Sequence, residues 1–533
     1  DERNGRMSFV QNVPCFSILM TMFAAILSSA AGGKTARKIS IGIAAAVGVM
    51  SAFLLVFLMG TGDSYAYMMG HFPAPWGNEL RAGMLEAAMA LLFCIIMLLS
   101  LLGGGEEAAE DVREEKANFY YIMADLLLAA NLALVYTNDL FTAYVFVEIN
   151  TIAACGMILG KFNHLTIASA VRYMIMSLMG SGLLLLGICF FYDMTGHLLM
   201  SNIREEIAVI TGTGAYQVPF LLTVGLVSVG LAIKSALWPF HAWLPNAYGY
   251  STVTSSAMLS SIVSKGYVFL LLKIIFRIVG LEAFVRSHVT EILFLFGMTG
   301  MILGSVDAIR QNNIWRMVAY SSVAQIGYIF MGIGMGTEGG MEASVYHIFA
   351  HASAKALVFT AVSGLVRVSG GKTGLRDLSG AGFRNRAAGA GFVIGSLSMI
   401  GIPGCAGFVS KLMFAKASLE DAFYMIPVLA CLAISTLLNA IYFMRVVLFL
   451  YTPDDVRIPE EAHLLEEGRD AGYGKGAAAG TVPAGTFGES GTRTENSLQF
   501  YIAVTGFICL NLFLGICTGP VSEAVKTGLS IFG

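Results

Sequence analysis

The fold is decided by Val218-Pro-Phe-Leu-Leu-Thr-Val-Gly-Leu-Val-Ser-Val-Gly-Leu-Ala-Ile-Lys234-Ser-Ala-Leu-Trp-Pro239, an apolar stretch that is long enough to cross a bilayer. A lysine at membrane depth is costly, so it is rarely kept there without a function. Pro239 lacks an N–H group and therefore breaks the helix five residues after Lys234. A buried charge beside a broken helix is typical of an ion path. The same arrangement returns at Gly401-Ile-Pro403-Gly404, which is followed by Lys411.

The composition is that of a membrane protein. Of the 533 residues, 56% are hydrophobic and 13% are charged, whereas soluble domains carry about 25% charged residues. A soluble chain could not bury this much apolar surface, so we predict an all-α polytopic membrane protein. The net charge of −3 argues against a nucleic-acid partner. The first apolar run lacks a small-residue cleavage pattern, so we expect a span rather than a signal peptide.

The apolar stretches predict about 14 transmembrane helices. They lie at residues 8–32, 38–60, 82–102, 117–137, 139–160, 167–192, 218–243, 252–276, 285–309, 313–334, 341–366, 388–417, 424–451 and 498–518. Helices 4–8 and 9–13 form two units of five, and the broken, lysine-bearing helix is the fourth in each. Because five is odd, the second unit enters the membrane from the opposite face, which predicts an inverted repeat with broken helices 7 and 12.

The predicted organisation follows from these helices. The expected parts are a three-helix segment at 1–116, repeats at 117–276 and 285–451, a flexible cytoplasmic loop at 452–497 and a last helix in 498–533. Loops 1–2, 11–12 and 13–14 fall on one side and are rich in basic residues such as Lys34, Lys372 and Arg457. The positive-inside rule places this side in the cytoplasm of a prokaryotic cell, so both termini are expected on the outer face of its inner membrane.

Glu148, inside span 5, is a candidate site residue. A lone buried carboxylate tends to be protonated unless an opposite charge lies nearby, and Lys234 is its natural partner. Such a pair is bistable, because a proton that arrives on one member releases the other. The alternative is a static ion pair that only fixes packing.

Lys265 stands in the middle of span 8, roughly three helical turns from either end. The pKa of a lysine falls readily when the side chain is buried, which suits a proton relay. Snorkelling to an interface is the alternative, and it is our prediction for Lys273, nearer the end of the span.

His347, His351 and Lys355 are spaced by four residues and share one face of span 11. Histidine titrates near neutral pH, which makes the two histidines candidate proton carriers. No H-E-x-x-H pattern is present, so a metal is not expected, and a purely structural pair of histidines is the alternative.

Lys411 follows the break at Pro403, which frees the carbonyl of Met399. Freed carbonyls at membrane depth line a cavity or bind water, so Lys411 is a candidate terminal proton donor. A lysine that merely packs or snorkels is the alternative.

Other charged residues are weaker candidates. Arg172 and Asp307 are placed near interfaces, whereas Asp125 lies inside an apolar run. The charged segment from Glu106 to Lys116 is predicted to be a solvated connector.

Together these residues resemble the antiporter-like subunits shared by respiratory complex I, membrane-bound hydrogenases and Mrp-type Na⁺/H⁺ antiporters. The resemblance covers roughly residues 70–450 and is strongest in segments 138–148, 234–248, 318–328, 347–357 and 401–411. The stretch Phe72-Pro-Ala-Pro-Trp-Gly77 is similar to the D subunit of Mrp antiporters. One stretch departs from the family pattern, because Asn313-Ile-Trp315-Arg316 stands where the family often has Asp and Lys before the arginine.

The resemblance implies roles for the candidate residues. Glu148 and Lys234 become the charged pair, Lys265 the central relay and Lys411 the exit-side site. Other membrane subunits are the implied partners, with H⁺ or Na⁺ as the translocated ion. The energy would come from outside the chain, either from a peripheral redox module or from an opposing ion gradient.

The leading functional hypothesis is an ion-translocating subunit of a larger membrane complex. The chain has no haem, flavin or iron–sulfur ligand set, no C-x-x-C pair among its eight cysteines and no glycine-rich nucleotide loop, so no cofactor or metal is expected. A stand-alone secondary transporter of a small solute shares the broken helices, and a structural anchor is the third hypothesis. The titratable residues run through many helices instead of clustering at one substrate site, which favours the first.

Overall fold

The computed structural model describes residues 2–69, 72, 77–213, 216–453 and 497–532. Most of this part is α-helical, which confirms the predicted all-α fold. Of the predicted loop at 452–497, the structure describes only residues 452, 453 and 497. Of the stretch Phe72–Gly77, it describes only the first and the last residue.

The elements, in chain order, are α1 (Glu2–Ser29), α2 (Gly33–Thr61), β1 (Tyr65–Met68), β2 (Glu79–Ala82), α3 (Met84–Gly103), α4 (Gly105–Asp111), α5 (Ala117–Tyr136), α6 (Leu140–Ile158), α7 (His164–Thr195), α8 (Met200–Thr213), α9 (Gln217–Lys234), α10 (Leu244–Tyr250), α11 (Val253–Met258), α12 (Ser264–Ile274), α13 (Leu281–Arg286), α14 (Val289–Ile309), α15 (Ile314–Gly334), α16 (Glu338–Val368), α17 (Ala381–Arg384), α18 (Arg386–Ile400), α19 (Ala406–Ser418), α20 (Ala422–Leu450), α21 (Leu498–Ile516) and α22 (Thr518–Phe532). Two π-helical segments, Leu259–Val263 and Ile275–Val279, follow α11 and α12.

Twelve helices in the described residues are long and apolar enough to cross a membrane. The two other predicted spans are also helical: span 8 runs through α11, α12 and the π-helical segments, and span 12 consists of α18 and α19. Large apolar side chains face outward, and on α2 Val49, Phe53 and Val56 are more than half exposed. Such a surface suits a lipid environment. The inverted relation of the two five-helix units stays a prediction.

Both predicted helix breaks are present. Helix α9 ends at Lys234 and α10 begins at Leu244, with Pro239 between them and Pro245 in the first turn of α10. Helix α18 ends where Gly401 adopts a left-handed conformation with φ of +94°, which glycine tolerates without steric strain.

Close helix pairs hold the breaks in place. A Cβ atom on Gly180 of α7 would lie 2.8 Å from the carbonyl oxygen of Gly230 on α9, and one on Gly230 would lie 2.7 Å from the carbonyl oxygen of Gly180. Only glycine permits this approach, so the two backbones touch one turn before Lys234. Helices α14 and α15 meet in the same way at Gly297 and Gly327.

The face that carries the β1–β2 hairpin contains a buried ion pair that the sequence did not predict. Arg277 pairs with Glu86, and both side chains are 2% exposed. The Arg277 guanidinium also donates to the carbonyl of Phe532 at 2.8 Å, which ties α22 to this pair. Arg81 of β2 donates to the carbonyl of Ile531 at 3.2 Å.

The predicted position of Lys273 was wrong. Its side chain is fully buried and does not reach an interface. Its ammonium group donates to the carbonyls of Leu134 and Val135, at 3.1 and 3.0 Å, and to that of Thr137. The last carbonyls of a helix have no partner within it, so Lys273 satisfies the end of α5.

We expect Glu86→Ala to destabilise the protein by about 3–5 kcal/mol, because the substitution leaves Arg277 buried without its counter-charge. Thermal unfolding in detergent measures the loss. Glu282→Ala is the matched control, since Glu282 pairs with Arg286 at 3.0 Å but both side chains are largely exposed. Exposed pairs contribute little, so equal shifts for the two variants would contradict the prediction.

Candidate functional site

All seven predicted site residues lie in the described part of the chain. They are Glu148 on α6, Lys234 at the end of α9, Lys265 on α12, His347, His351 and Lys355 on α16, and Lys411 on α19. Six are buried, and the Glu148 side chain is 26% exposed at the edge of the helix bundle. The structure brings them into three neighbouring groups.

The first group is the predicted pair. The ammonium nitrogen of Lys234 lies 3.6 Å from Oε1 of Glu148. The same nitrogen donates to the hydroxyl of Thr151 at 2.8 Å, and the hydroxyl of Ser181 on α7 donates to Glu148. Lys234 is thus shared between a carboxylate and a neutral hydroxyl, and Glu148 has a second donor in the hydroxyl of Ser181.

Tyr267 contacts the first group and lies on the same helix as Lys265 of the second group. Its hydroxyl lies 3.4 Å from that of Thr151, and its ring lies 5.3 Å from the ammonium nitrogen of Lys234. Tyr267 is two residues from Lys265 on α12. No direct hydrogen bond joins Lys234 to Lys265 among the described residues, so a proton between them has to pass through this hydroxyl bridge or through water.

The second group surrounds Lys265. The ammonium nitrogen of Lys265 donates to the carbonyl of Ser260 in the first π-helical segment and to the hydroxyl of Ser264 at 3.1 Å. A π-turn widens the helix and is frequent at functional sites. Lys265 interacts electrostatically with Lys355 and His351 of α16.

Lys355, like Lys265, has no carboxylate partner among the described residues. Its ammonium nitrogen donates to the carbonyl of Val318 at 2.5 Å and to the hydroxyl of Ser321, both on α15. Neither Lys265 nor Lys355 forms an ion pair within the described residues. Two neighbouring buried ammonium groups repel each other, so a proton gained by one favours proton loss from the other.

The third group joins the histidines to Lys411. Nδ1 of His347 lies 2.9 Å from the hydroxyl of Ser410, and the rings of His347 and His351 stack with centroids 6.0 Å apart. Lys411 donates to the carbonyl of Ile400 at 2.7 Å and to the hydroxyl of Thr436 at 3.0 Å. The helix break therefore supplies a backbone carbonyl to the lysine.

The carbonyl of Met399, which Pro403 leaves without a helical donor, is bound by another helix. It accepts from the side-chain amide of Asn439 on α20 at 3.4 Å, whereas Lys411 donates to the carbonyl of Ile400, the last residue of α18.

Several buried polar atoms along the three groups have no partner among the described residues. They include both ring nitrogens of His351, Nε2 of His347 and the hydroxyls of Ser322 and Tyr328. Buried polar groups without protein partners are usually bridged by ordered water. Such water would join the stacked histidines to the lysines on either side.

We expect His351→Gln to slow ion transfer about tenfold or more, because glutamine retains hydrogen-bonding capacity but does not titrate. Ion flux in vesicles and thermal stability are measured together. Neither His351 ring nitrogen has a protein partner in the described residues, so the substitution should leave stability nearly unchanged. A structural histidine predicts the reverse, with transport retained by Gln and stability lost in Ala.

Sequence reasoning missed the hydroxyl groups that bind the charges. They are Thr151, Ser181, Ser321, Ser410 and Thr436. Two of them could have been identified from the sequence, because Thr151 stands one helical turn from Glu148 and Ser410 directly precedes Lys411. The other three come from different helices, so their positions depend on tertiary packing.

The weaker candidates have different environments. Arg172 is exposed on α7. Asp307 is 35% exposed and lies 3.6 Å from Arg310, which is a partly exposed pair outside the three groups. Asp125 is buried between α1, α2 and α5 and belongs to none of the groups.

The connector at 106–116 is mostly solvated, as predicted, with Glu110 and residues 113–116 exposed, whereas Glu107 is half-buried. Burial raises the pKa of Glu107 to about 7, and nearby Asp111 raises it as well, whereas Arg367, Lys161 and the Ser363 hydroxyl lower it. Glu107 faces α16, the helix that carries the histidines. A carboxyl with a pKa near neutral is suited to exchanging protons with water at this face.

The described residues contain no group of three His, Cys, Asp or Glu side chains placed to hold a metal ion. Six of the seven titratable groups of the site have hydroxyl or carbonyl partners, whereas His351 has none within the described residues.

Comparison with known proteins agrees with this geometry. The family described as NADH:quinone oxidoreductase/Mrp antiporter, transmembrane, matches residues 137–438. The chain is 32% identical over 413 residues to the N subunit of the NADH-quinone oxidoreductase of Desulforudis audaxviator, covering 76% of this chain and 79% of the relative. It is 24% identical to the D subunit of the Na⁺/H⁺ antiporter of Bacillus subtilis, over 80% of this chain and 84% of the relative.

Two solved structures share the fold. One is a chain of the membrane-bound sulfane sulfur reductase, an archaeal respiratory membrane complex, with a TM-score of 0.81 at 21% identity over 98% of this chain and 97% of that chain. The other is a chain of the Mrp complex from Dietzia sp. DQ12-45-1b, with a TM-score of 0.80 at 20% identity and the same coverage. The family match spans more than half of the sequence and contains every predicted site residue. The chain is a multi-pass membrane protein that belongs to the NADH:quinone oxidoreductase/Mrp antiporter transmembrane family.

Proposed function

We propose that this chain is an ion-translocating subunit of a multisubunit membrane complex and that it carries protons along the line from Glu148 to Lys411. The observation that carries the proposal is the succession of seven titratable side chains, six of them buried, in three neighbouring groups on five helices. The hydroxyls of Thr151 and Tyr267 lie between the first two groups, and Ser410 and the stacked histidine rings lie within the third. Structural anchors have no need of such costly groups.

The chemistry of the line favours H⁺ over Na⁺ as the ion that moves along it. Four of its seven groups are lysines and two are histidines, which bind protons and repel Na⁺. Only Glu148 is a carboxylate. Na⁺ would have to pass three further ammonium groups after Lys234, whereas a proton uses each of them as a carrier.

The pair at Glu148 starts the proposed sequence of steps. A proton that reaches Glu148 neutralises the carboxylate and weakens its hold on Lys234. Lys234 then shifts toward Thr151, to which it is already hydrogen-bonded. Its proton passes by way of Tyr267 and water to Lys265, and the repulsion between Lys265 and Lys355 drives a proton onward toward His351.

Lys411 ends the sequence. His347 exchanges a proton with Lys411 through Ser410, which lies next to both residues. The carbonyl of Ile400 and the hydroxyl of Thr436 hold the charged form of Lys411 until it releases its proton.

The energy source for this movement lies outside the chain in our proposal. The related proteins are named as parts of an NADH-quinone oxidoreductase and of a Na⁺/H⁺ antiporter. A redox module or an opposing ion gradient is therefore the energy source that we infer. The face rich in basic loops is cytoplasmic and both termini face outward, which labelling of single introduced cysteines with impermeant reagents would test.

Purification in mild detergent followed by reconstitution tests the proposed function. We expect the chain to co-purify with other membrane subunits and the reconstituted complex to move H⁺ across liposomes, followed with a pH-sensitive dye. A chain that purifies as an active monomer and transports a small solute would instead support the stand-alone transporter.

A further inference from the structure

A second buried carboxyl group lies away from the line of lysines. Asp125, on α5, is 2% exposed and faces α1 and α2. The hydroxyl of Ser28 donates to its Oδ2 at 3.2 Å. The hydroxyl of Ser40 on α2 lies beside the same carboxyl group, is fully buried and makes no hydrogen bond of good geometry within the described residues. Oxygen atoms from three helices therefore converge on one point.

The surroundings of Asp125 contain no compensating positive charge. None of the described Lys, Arg or His side chains lies within ion-pair distance of it. The nearest basic candidate, Arg37, is three residues before Ser40 but donates to the carbonyl of Leu101 at 3.1 Å and to the amide oxygen of Gln499 at 2.6 Å. Lys34 and Lys38, also on α2, are exposed.

The end of α1 adds to the negative potential. Ser28 stands in the last turn of α1, and this turn contains no basic side chain. A helix C-terminus carries a partial negative charge that attracts cations within about one turn. The opposite charge at the start of α2 has less influence on Ser40, which lies two turns inside that helix. An unpaired carboxylate in such a place is too costly to persist without a bound cation.

We propose that Asp125, Ser28 and Ser40 form a binding site for one monovalent cation, Na⁺ or H⁺, separate from the line between Glu148 and Lys411. One carboxylate matches one positive charge. Carboxylate and hydroxyl oxygens are hard donors, which suits Na⁺, and the carboxyl oxygen alone takes the proton. The site lies about 12 Å along α5 from its first residue, near the turn between α1 and α2, so a cation reaches it from the face that carries the basic loops.

Chemical modification of the carboxyl group tests the site in the purified complex. An apolar carbodiimide reacts with protonated carboxyl groups, and mass spectrometry locates the adduct. We expect Asp125 to be modified at neutral pH in choline chloride, less at higher pH, and several-fold less when NaCl replaces choline chloride. Loss of modification at higher pH without an effect of Na⁺ identifies the proton as the bound cation. Modification that responds to neither pH nor Na⁺, or none at any pH, overturns the proposal.

Ser40→Ala provides a variant that should fold, because the hydroxyl makes no hydrogen bond of good geometry in the described residues. If Na⁺ protects Asp125, we expect this variant to keep the modification and to require several-fold more Na⁺ for protection. Ser51→Ala is the matched control, since Ser51 is also a fully buried hydroxyl on α2 without a hydrogen bond of good geometry in the described residues, and it lies beside Cys94 and Tyr136 instead of Asp125. Equal effects of the two substitutions overturn the role of Ser40. The extent of modification is measured without any transport assay. A failure of the Asp125 site can therefore be distinguished from a failure of the proposed proton path.

Discussion

Replacing Lys234 by alanine is expected to abolish ion translocation while the complex still assembles. The substitution removes the charge that Glu148 and Thr151 share, at 3.6 and 2.8 Å. Glu148 is then left without its counter-charge, which removes the pairing on which the proposed relay depends. The measurement is H⁺ flux in vesicles, with assembly followed by co-purification of the other membrane subunits.

Lys234→Arg separates a proton relay from a static ion pair. Arginine keeps the charge but holds its proton at every accessible pH. A static pair would tolerate arginine, whereas a relay would fail with it. Lys161→Ala is the control, because Lys161 pairs with Asp111 at 3.0 Å on a partly exposed surface and should tolerate the change. Normal flux in the alanine or the arginine variant would contradict the relay.

Lys265→Met is expected to abolish translocation as well, and at the same time to preserve or raise thermal stability. Methionine fills nearly the same volume. It also removes a buried ammonium group that has no carboxylate partner among the described residues and is held only by Ser260 and Ser264. Replacing a buried charge by a well-packed apolar group is often neutral or stabilising. A gain in stability together with a loss of translocation would show that Lys265 serves transport and not the stability of the fold.

The control for this experiment is Lys416→Met. Lys416 is an exposed lysine in the last turn of α19, so its loss should leave flux unchanged. If Lys265→Met conducts protons at the normal rate, Lys265 is no relay, and the second group would have to work through Lys355 alone. If it unfolds, the lysine is structural and our assignment is wrong.

The sequence was sufficient to predict the helices and their breaks. A chain in lipid has to satisfy its backbone internally, so long apolar runs become helices, and Pro239 and Gly401 interrupt them for local reasons. The pairing of Glu148 with Lys234 was also predictable, since a buried charge needs an opposite one. All of these inferences rest on rules that act over a few residues or on charge alone.

The partners of the other charges were not predictable. Lys273 binds carbonyls of α5, more than 130 residues away in sequence, and Lys355 binds Ser321 on α15. Which face of a helix meets which neighbour is set by the packing of whole helices. Hydropathy is nearly uniform around the buried helices, so it carries no information about their rotation. The buried pair of Glu86 and Arg277 was missed for the same reason.

The glycine contact between α7 and α9 has a consequence for the timing of the cycle. Gly180 directly precedes Ser181, and a Cβ atom on Gly180 would lie 3.0 Å from Cγ of Lys234. The two backbones touch beside the charged pair, so in the proposed path we expect Lys234 to change partner by rotating its own side chain and not by a shift of its helix. Rotamer changes take picoseconds to nanoseconds when unhindered, whereas helix movements take microseconds to milliseconds. If the proposed proton path operates, we therefore expect the exchange of partner at Lys234 to be faster than any step that requires a helix movement.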